Sequence, residues 1–283
     1  MSKRETKLVK KLEGVLKQLN CGRYLHHFGP KKFKFVFHAL ALLLKEALKC
    51  SFRRIEEFLN LLDIKVPTYS ALCKMRKRIP SWIWNKLLQL TAGETHEEIA
   101  IDSSGFSKTN PSFHYVKRID RTKPVKNFAK FSALFNIRNK KFCRIAVDEK
   151  RKHDIKDFRP LMKIKIKKLY GDSAYDAEWI HEYCYERGIQ TIIKPRKNVR
   201  KGFYRRKQMK NYSDEEYHQR SLIESGFSAL KRKYGGNVSA KRLRNVRAEL
   251  YCKAIAYNIS LTRNRFSTEP IISRTSLSIV FID

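Results

Sequence analysis

The chain is poor in acidic residues. Its 283 residues include 27 Asp and Glu against 62 Lys and Arg, which gives a formal net charge of +35. A protein this basic binds polyanions without selectivity unless a polyanion is its substrate, so an ordinary metabolic enzyme is disfavoured. Hydrophobic residues nevertheless make up 42% of the chain and aromatic residues 12%. The chain can therefore bury a core, and a disordered polycation is excluded.

Long apolar segments and closely spaced cysteines are also missing. The longest apolar run, Phe35 to Leu44, contains His38 and is shorter than the ~20 residues that a bilayer span needs. The first residues are basic but no apolar segment follows them directly, so no signal peptide is predicted. The six cysteines form no C-x-x-C pair, which argues against a structural zinc site. We expect reduced, buried thiols in a cytoplasmic protein.

The hydrophobic periodicity changes near residue 96. Before it, apolar residues follow the helical period over residues 8–19, a second buried helix is predicted over 33–49, and Ser51 is predicted to cap a third. After it, short β-rich segments alternate with helices, beginning with a strand over 99–102. A hairpin is predicted from the segments 128–137 and 142–147, and a basic loop over 196–211. This order predicts a helical domain of residues 1–95, followed by an α/β domain of residues 96–283.

One predicted helix in the first part carries a run of cations. It follows Pro67 and ends before Pro80, because a proline disfavours helical backbone at the residue that precedes it. A short basic helix preceded by a turn is typical of segments that enter a DNA groove. A solvated basic face on a packing helix explains the same pattern equally well. The cations of this helix are Lys74, Arg76, Lys77 and Arg78.

Two aspartates are predicted to follow strands. Asp102 precedes a predicted turn at residues 103–105, and Asp172 ends a short strand over 168–171. Carboxylates at strand ends lie at the edge where open α/β sheets place their sites. A single aspartate in such a position is more often a turn residue. Asp176 illustrates that simpler role, since it is predicted to N-cap a helix over 177–187.

The segment after residue 213 is predicted to be one long helix with a polar stripe. Tyr217, Arg220, Glu224 and Lys231 fall within a sector about 60° wide, beside the apolar face. A carboxylate at the edge of a core, with cations beside it, suits a metal centre that handles phosphates. A simple i,i+4 ion pair between Arg220 and Glu224 would explain part of the stripe as well.

The run Tyr217-x-x-Arg220-x-x-x-Glu224, with Lys231 seven residues further on, resembles the signature of insertion-sequence transposases that carry a DDE triad. The segment from Gly171 to Asp176 is similar to the family's sequence around its second aspartate, and residues 99–104 are similar to the strand bearing the first. The basic region over 51–80 is similar to the family's N-terminal part. The resemblance covers most of the chain. It implies an α/β, ribonuclease H-like catalytic domain over residues 96–283, with a mixed five-stranded sheet flanked by helices. An all-helical, DNA-binding domain of residues 1–95 would precede it.

This resemblance also implies an activity. A DNA transposase of this type cleaves and joins the phosphodiesters at transposon ends by two-metal-ion catalysis. Asp102, Asp172 and Glu224 would be the catalytic residues and the ligands of Mg²⁺, for which Mn²⁺ can substitute.

The expected DNA contacts are of three kinds. Cations beside the triad would hold phosphates, an aromatic ring would stack on a terminal base, and cations after a strand and on the basic helix would contact the DNA backbone. These residues are Arg220, Lys231, Tyr217, Lys194, Arg196, Lys74, Arg76, Lys77 and Arg78.

The implied partner is double-stranded DNA, at terminal inverted repeats and at the target, bound by a homodimer in the nucleoid of a prokaryote. Three alternatives remain open. A metal-dependent nuclease that never joins ends would use the same triad. A domesticated DNA-binding protein would have lost catalysis. An RNA-binding or ribosomal protein would explain the charge, but would give no reason for the carboxylates and the polar stripe.

Overall fold

The structure, a computed structural model, describes residues 14, 16, 22–25, 32–93, 96–108, 128–150, 152–197, 201–210 and 212–265. The first predicted helix, over residues 8–19, lies almost entirely outside these ranges. Within them, no helix is both long enough and apolar enough to cross a bilayer.

The first part of the chain is helical, as its periodicity predicts. Ser51 caps the second described helix as predicted, because its side chain accepts a hydrogen bond from Arg54 N at 3.2 Å. Thr68 caps the basic helix in the same way, with Ala71 N as donor. The four helices are α1 (Phe35–Ala47), α2 (Phe52–Leu61), α3 (Tyr69–Arg78) and α4 (Ser81–Ala92).

The second part is built on a mixed sheet with the order β3-β2-β1-β4-β5. β2 runs antiparallel to both β1 and β3, whereas β4 and β5 run parallel to β1. This is the ribonuclease H-like arrangement that the resemblance implies, with a sixth, two-residue strand added beside the end of β1. The strands are β1 (Glu98–Lys108), β2 (Phe128–Asn136), β3 (Lys141–Asp148), β4 (Lys168–Gly171), β5 (Gln190–Ile193) and β6 (Asn237–Val238).

β1 is longer than the sequence predicts, and the turn predicted at residues 103–105 is wrong. Ser103, Ser104 and Gly105 continue the strand, because each of them pairs in unbroken register with β2. The antiparallel partner therefore overrides the turn preference of this short polar sequence.

The helices of the second part depart from the predictions at two places. The basic loop predicted over residues 196–211 contains a helix, whose first N–H groups, those of Tyr204 and Arg205, donate to the Glu178 carboxylate. The helix predicted over 213–234 is interrupted by a 3₁₀ turn at His218–Arg220. The helices are α5 (Phe158–Leu161), α6 (Glu178–Tyr185), α7 (Phe203–Met209), α8 (Asp214–Tyr217), α9 (Ser221–Tyr234) and α10 (Leu243–Arg265).

Both faces of the sheet are covered. Alternate residues of β1 point to opposite sides, so Ile99 and Ile101 lie in one core whereas Ala100 and Phe106 lie in the other. The second core also contains residues of α9, α10, α1 and α4. The helical first part and the sheet therefore share one hydrophobic core.

α10 lies at the centre of this shared core. Tyr251 stacks on Trp84 of α4, with 6.5 Å between ring centroids. Its hydroxyl group lies 2.8 Å from Asn85 Oδ1 and 3.1 Å from the Ile145 carbonyl oxygen, and donates a hydrogen bond to them. One side chain of α10 thus links the first helices to strand β3.

Candidate active site

Asp102 lies on β1, and Asp172 directly follows the neighbouring parallel strand β4. Ala100 of β1 pairs with Tyr170 of β4, and each aspartate lies two residues further along its own chain. Both therefore continue the face of the sheet that packs against α9, with the strands about 4.8 Å apart. Asp102 lies inside β1, so its predicted position at a strand end is wrong. The strand end at this site is that of β4 at Gly171, and this edge of β1 is paired again only at Ser107 and Lys108, where β6 runs beside it.

Arg220 joins Asp102 to Glu224. Its Nη1 donates to Asp102 Oδ2 at 3.3 Å, and its Nη2 donates to Glu224 Oε1 at 2.6 Å. The Asp102 side chain is 17% exposed and that of Glu224 is 56% exposed. The i,i+4 pair that the sequence allows is therefore present, and the same guanidinium group also reaches the sheet.

The electrostatics of Asp102 reflect this gathering of carboxylates. Its pKa is raised to about 6, chiefly by burial and in part by the negative charges of Asp172 and Glu224. A hydrogen bond from Ser103 N–H and the charge of Arg220 act in the opposite direction. Both other carboxylates of the predicted triad therefore lie within electrostatic reach of Asp102.

A glycine brings α9 close to the sheet. A Cβ atom on Gly226 would lie 2.6 Å from Cε2 of Phe135, which is closer than two carbon atoms can approach. Only a residue without a side chain lets the helix reach this depth. Glu224 lies half a turn earlier on the same helix, so this contact also sets its height above β1.

Lys231, further along α9, also donates a hydrogen bond to a side chain of β1, as Arg220 does. Its Nζ donates to Ser104 Oγ at 2.8 Å and lies 5.3 Å from the centre of the Phe106 ring. Burial lowers its pKa below the usual value for lysine. Ser104 was not recognised from the sequence, although the period of two along β1 places it on the same face as Asp102.

A family model described as a transposase DDE domain matches residues 93–259, which is more than half of the chain. The chain belongs to the DDE transposase family. No curated protein matches the chain. Membership of the family makes DNA the substrate class of this protein and transposition the process in which it takes part.

Asp172 of this DDE transposase begins a tight turn. Its Oδ1 accepts a hydrogen bond from Ala174 N at 3.0 Å. The guanidinium group of Arg196 holds the same turn by donating to the Ser173 carbonyl at 2.9 Å and to the Ala174 carbonyl at 3.1 Å. Arg196, predicted as a DNA contact, therefore binds the protein's own backbone beside Asp172.

The N-cap role predicted for Asp176 is wrong. Ala177 occupies the N-cap position of α6, and the buried Asp176 carboxylate receives Arg196 N at 2.8 Å and Arg205 Nε at 2.6 Å. His181 Nε2 lies 3.1 Å from the same carboxylate. Burial alone would raise the pKa of Asp176, but these hydrogen bonds outweigh it and lower the pKa. Sequence analysis missed Arg205 and His181 because no local pattern links them to Asp176.

Tyr217 of the transposase lies between two of the other predicted DNA contacts. Lys194 Nζ is 5.9 Å from the centre of its ring, and Arg220 Cζ is 5.8 Å from it. The ring also packs at 6.1 Å from that of Tyr212. The structure thus brings Tyr217, Lys194 and Arg220 together.

The basic helix α3 belongs to the other part of the transposase. It packs through the buried Leu72, and Arg76 lies 4.8 Å above the ring of Phe52. Lys74, Lys77 and Arg78 are exposed. The four cations predicted on this helix therefore divide into one that packs and three that face solvent.

The triad can be tested against the divalent metal that DDE transposases normally use. As the side chains stand, no three Asp, Glu, His or Cys residues in the described part of the chain are arranged to hold a metal ion. The Arg220 guanidinium group lies between two of the candidate ligands. The three candidate ligands nevertheless all offer carboxylate oxygens. The negative charges of Asp172 and Glu224 act against the charged form of Asp102, and a divalent cation would offset this repulsion. In its chemistry this donor set fits Mg²⁺.

Proposed function

We propose that this transposase cleaves the phosphodiester bonds at the ends of a mobile element and joins the freed ends to target DNA. The observation that carries the proposal is the contact of Arg220 with both Asp102 and Glu224, because Asp102 and Arg220 lie 118 positions apart in sequence. The influence of Asp172 on the pKa of Asp102 adds the third carboxylate.

Asp102, Asp172 and Glu224 would hold Mg²⁺, with Mn²⁺ as a substitute, because hard divalent cations prefer carboxylate oxygens. A pair of such ions, when bound, stabilises the attacking and the leaving oxygens of a phosphodiester. The raised pKa of Asp102 supports this role, since it reflects a buried carboxylate with two further negative charges, those of Asp172 and Glu224, close to it.

The chain's own cations would bind the DNA. Arg220 presents two N–H groups to two carboxylates, and a phosphate group accepts the same fork of donors. On this proposal, Arg220 exchanges its carboxylate partners for a phosphate beside the cut when DNA binds. Lys231 would hold a neighbouring phosphate, and Tyr217, with Lys194 beside it, would stack on a terminal base.

The helical first part would select the DNA. The exposed cations Lys74, Lys77 and Arg78 of α3 are suited to phosphates that line a groove. Both element ends must be cut and joined together, so we propose a homodimer on the DNA.

A cleavage assay with the full chain tests the function. The substrate is a plasmid carrying the gene with its flanking DNA, incubated with Mg²⁺ or Mn²⁺ and a second plasmid as target. Glu224→Gln retains the size of the side chain but removes its charge, so we expect nicking to be lost while DNA binding is kept. Glu215→Gln is the matched control, because Glu215 is an exposed acid nine residues earlier.

The products separate the possible functions. Joined products that depend on Glu224 support the transposase. Cleavage without joining would instead identify a nuclease, and binding without cleavage a DNA-binding protein derived from a transposase. A Glu224→Gln protein that nicks as fast as the Glu215→Gln protein would show that the triad is misassigned.

A further inference from the structure

A second basic segment follows β5 and contributes no residue to the triad. Residues 194–210 contain nine Lys or Arg and no Asp or Glu. Arg196 and Arg205 serve the protein's own structure, since Arg196 binds the turn after Asp172 and Arg205 binds Asp176. Lys201, Arg206, Lys207 and Lys210 are exposed. The segment therefore presents several cations to solvent.

Aromatic rings lie among these cations. Phe203 is 56% exposed and Tyr185 of the neighbouring helix α6 is 44% exposed. Lys207 Nζ lies 4.5 Å from the centre of the Phe203 ring and 4.9 Å from that of the Tyr185 ring, and it donates to the Tyr185 hydroxyl oxygen at 3.1 Å. The half-buried Tyr204 contacts both rings from below, at 5.2 Å and 5.5 Å between centroids. We call Tyr185, Phe203 and Lys207 the aromatic–cationic face.

This face stands on a rigid support. The side-chain amide of Gln208 accepts from Thr191 N at 3.1 Å and donates to the Ile189 carbonyl at 2.9 Å, which fixes α7 along the edge strand β5. Glu178 binds the first N–H groups of α7, and Arg205 binds the buried Asp176. The rings are therefore held in place before any ligand arrives, which lowers the entropy cost of binding.

The chemistry of the face points to one kind of ligand. Exposed cations on a segment that has no acidic residue of its own attract phosphates, and exposed rings stack on the faces of nucleobases. In a duplex the bases are already stacked on each other, so an exposed ring gains most from bases that are unpaired. We propose that the aromatic–cationic face binds a single strand of DNA by stacking Phe203 and Tyr185 on its bases.

The inference rests on the proposed function, because strand cleavage is what would supply unpaired bases near this surface. The support of the face is also tied to the triad. Arg205 connects α7 to Asp176, four residues after Asp172, and Arg196 binds both Asp176 and the turn that Asp172 begins. β5 is the neighbour of β4 in the sheet, and α7 lies along β5. On this proposal, a DNA strand that leaves the triad across β5 reaches the aromatic–cationic face.

Substitutions at Phe203 test the proposal in the full chain, with binding measured by fluorescence anisotropy at fixed salt and without metal. The probes are a single-stranded oligothymidine and a duplex. Phe203→Leu keeps an apolar side chain but loses the aromatic face, so we expect single-strand affinity to fall about fivefold or more, the loss for one stacked base. Phe203→Trp should retain the affinity, and Tyr185→Leu should reproduce the loss. Phe58→Leu is the control, because Phe58 of α2 is exposed to a similar extent, at 46%.

Duplex affinity should change by less than about twofold in every variant, since phosphate contacts dominate it. An unchanged single-strand affinity in Phe203→Leu would overturn the proposal, as would an equal loss for both probes. A change of oligomeric state in Phe203→Leu without a loss of single-strand binding would assign the face to a second copy of the chain instead. A wild-type chain that binds neither probe would contradict the proposed function itself, so the two failures are distinct.

Discussion

The guanidinium group of Arg220 lies between Asp102 and Glu224, 3.3 Å from the first carboxylate and 2.6 Å from the second. One side chain thus serves as the cation of two acids that come from different elements of the fold. Asp102 is mostly buried, and burial together with its acidic neighbours keeps its pKa raised to about 6 even with this partner. Arg220 only partly neutralises the site.

The first prediction follows from this shared cation. Arg220→Gln leaves Asp102 and Glu224 without a positive partner, so their affinity for a divalent cation should rise in the absence of DNA. We expect about tenfold tighter Mn²⁺ binding, because a hydrogen bond to a charged group contributes roughly 1.5 kcal/mol. Electron paramagnetic resonance of free Mn²⁺ measures it directly. Arg232→Gln removes the same charge from the exposed side of α9 and is the control. Equal or weaker Mn²⁺ binding in Arg220→Gln would contradict the expectation.

The second prediction concerns the close approach of α9 to the sheet. Gly226→Ala forces a methyl group against the buried ring of Phe135, and overpacking of this kind costs about 1–3 kcal/mol of unfolding free energy. Urea denaturation measures the loss. The same change should cost less in a Phe135→Leu background, where the ring is absent. Gly105→Ala should be nearly neutral, since nothing lies within 4 Å of the added methyl group.

The third prediction is a pH dependence of stability at Asp157. Burial would raise the pKa of this aspartate, but hydrogen bonds from Lys152, Ser132 and Lys130 outweigh burial and lower it below 3.8. A lowered folded-state pKa stabilises the protein fully above 3.8, and the contribution is lost as the pH falls through the folded value. Asp157→Asn should therefore destabilise the protein at neutral pH by about 3 kcal/mol, the usual cost of breaking a buried ion pair.

The two proteins should then converge in melting temperature as the pH falls below 3.8, the ordinary pKa of aspartate. Glu186→Gln, which removes an exposed partner of Arg187, should cost less than about 1 kcal/mol at any pH. A constant difference between Asp157→Asn and the wild type across this range would show that the charge of Asp157 is not what stabilises the fold.

Hydrophobic periodicity and capping residues predicted those elements whose conformation is decided by residues close together in sequence. The buried helix α1, the Ser51 cap and the β2–β3 hairpin follow from periodicity and capping chemistry, and all three are confirmed. The turn predicted at residues 103–105 failed because pairing with β2 decides that backbone, and β2 lies beyond a long interval in sequence. α7 was missed because it is capped from outside by Glu178.

In the candidate site, too, contacts within one helix could be predicted from the sequence, whereas contacts between distant segments could not. Helical spacing alone predicted that Arg220 and Glu224 would lie together, and they form an ion pair. That the same guanidinium reaches Asp102 depends on the register of β1 against α9, which the sequence does not encode locally. The network around Asp176 joins residues up to 29 positions apart, and only the fold reveals it.

The position of α10 between the sheet and the first helices has a consequence for how such a chain can evolve. Because Tyr251 stacks on Trp84 and binds both Asn85 and Ile145, the first helices form one wall of the core that surrounds α10. If the helical region of a related protein replaced the first helices, its side chains would have to pack against α10 as well as the original ones do. Fragments beginning at β1 would expose the apolar surface of α10 and become targets for proteases. Recombination between mobile genetic elements should therefore exchange whole transposase genes more readily than the part that encodes either half of the protein.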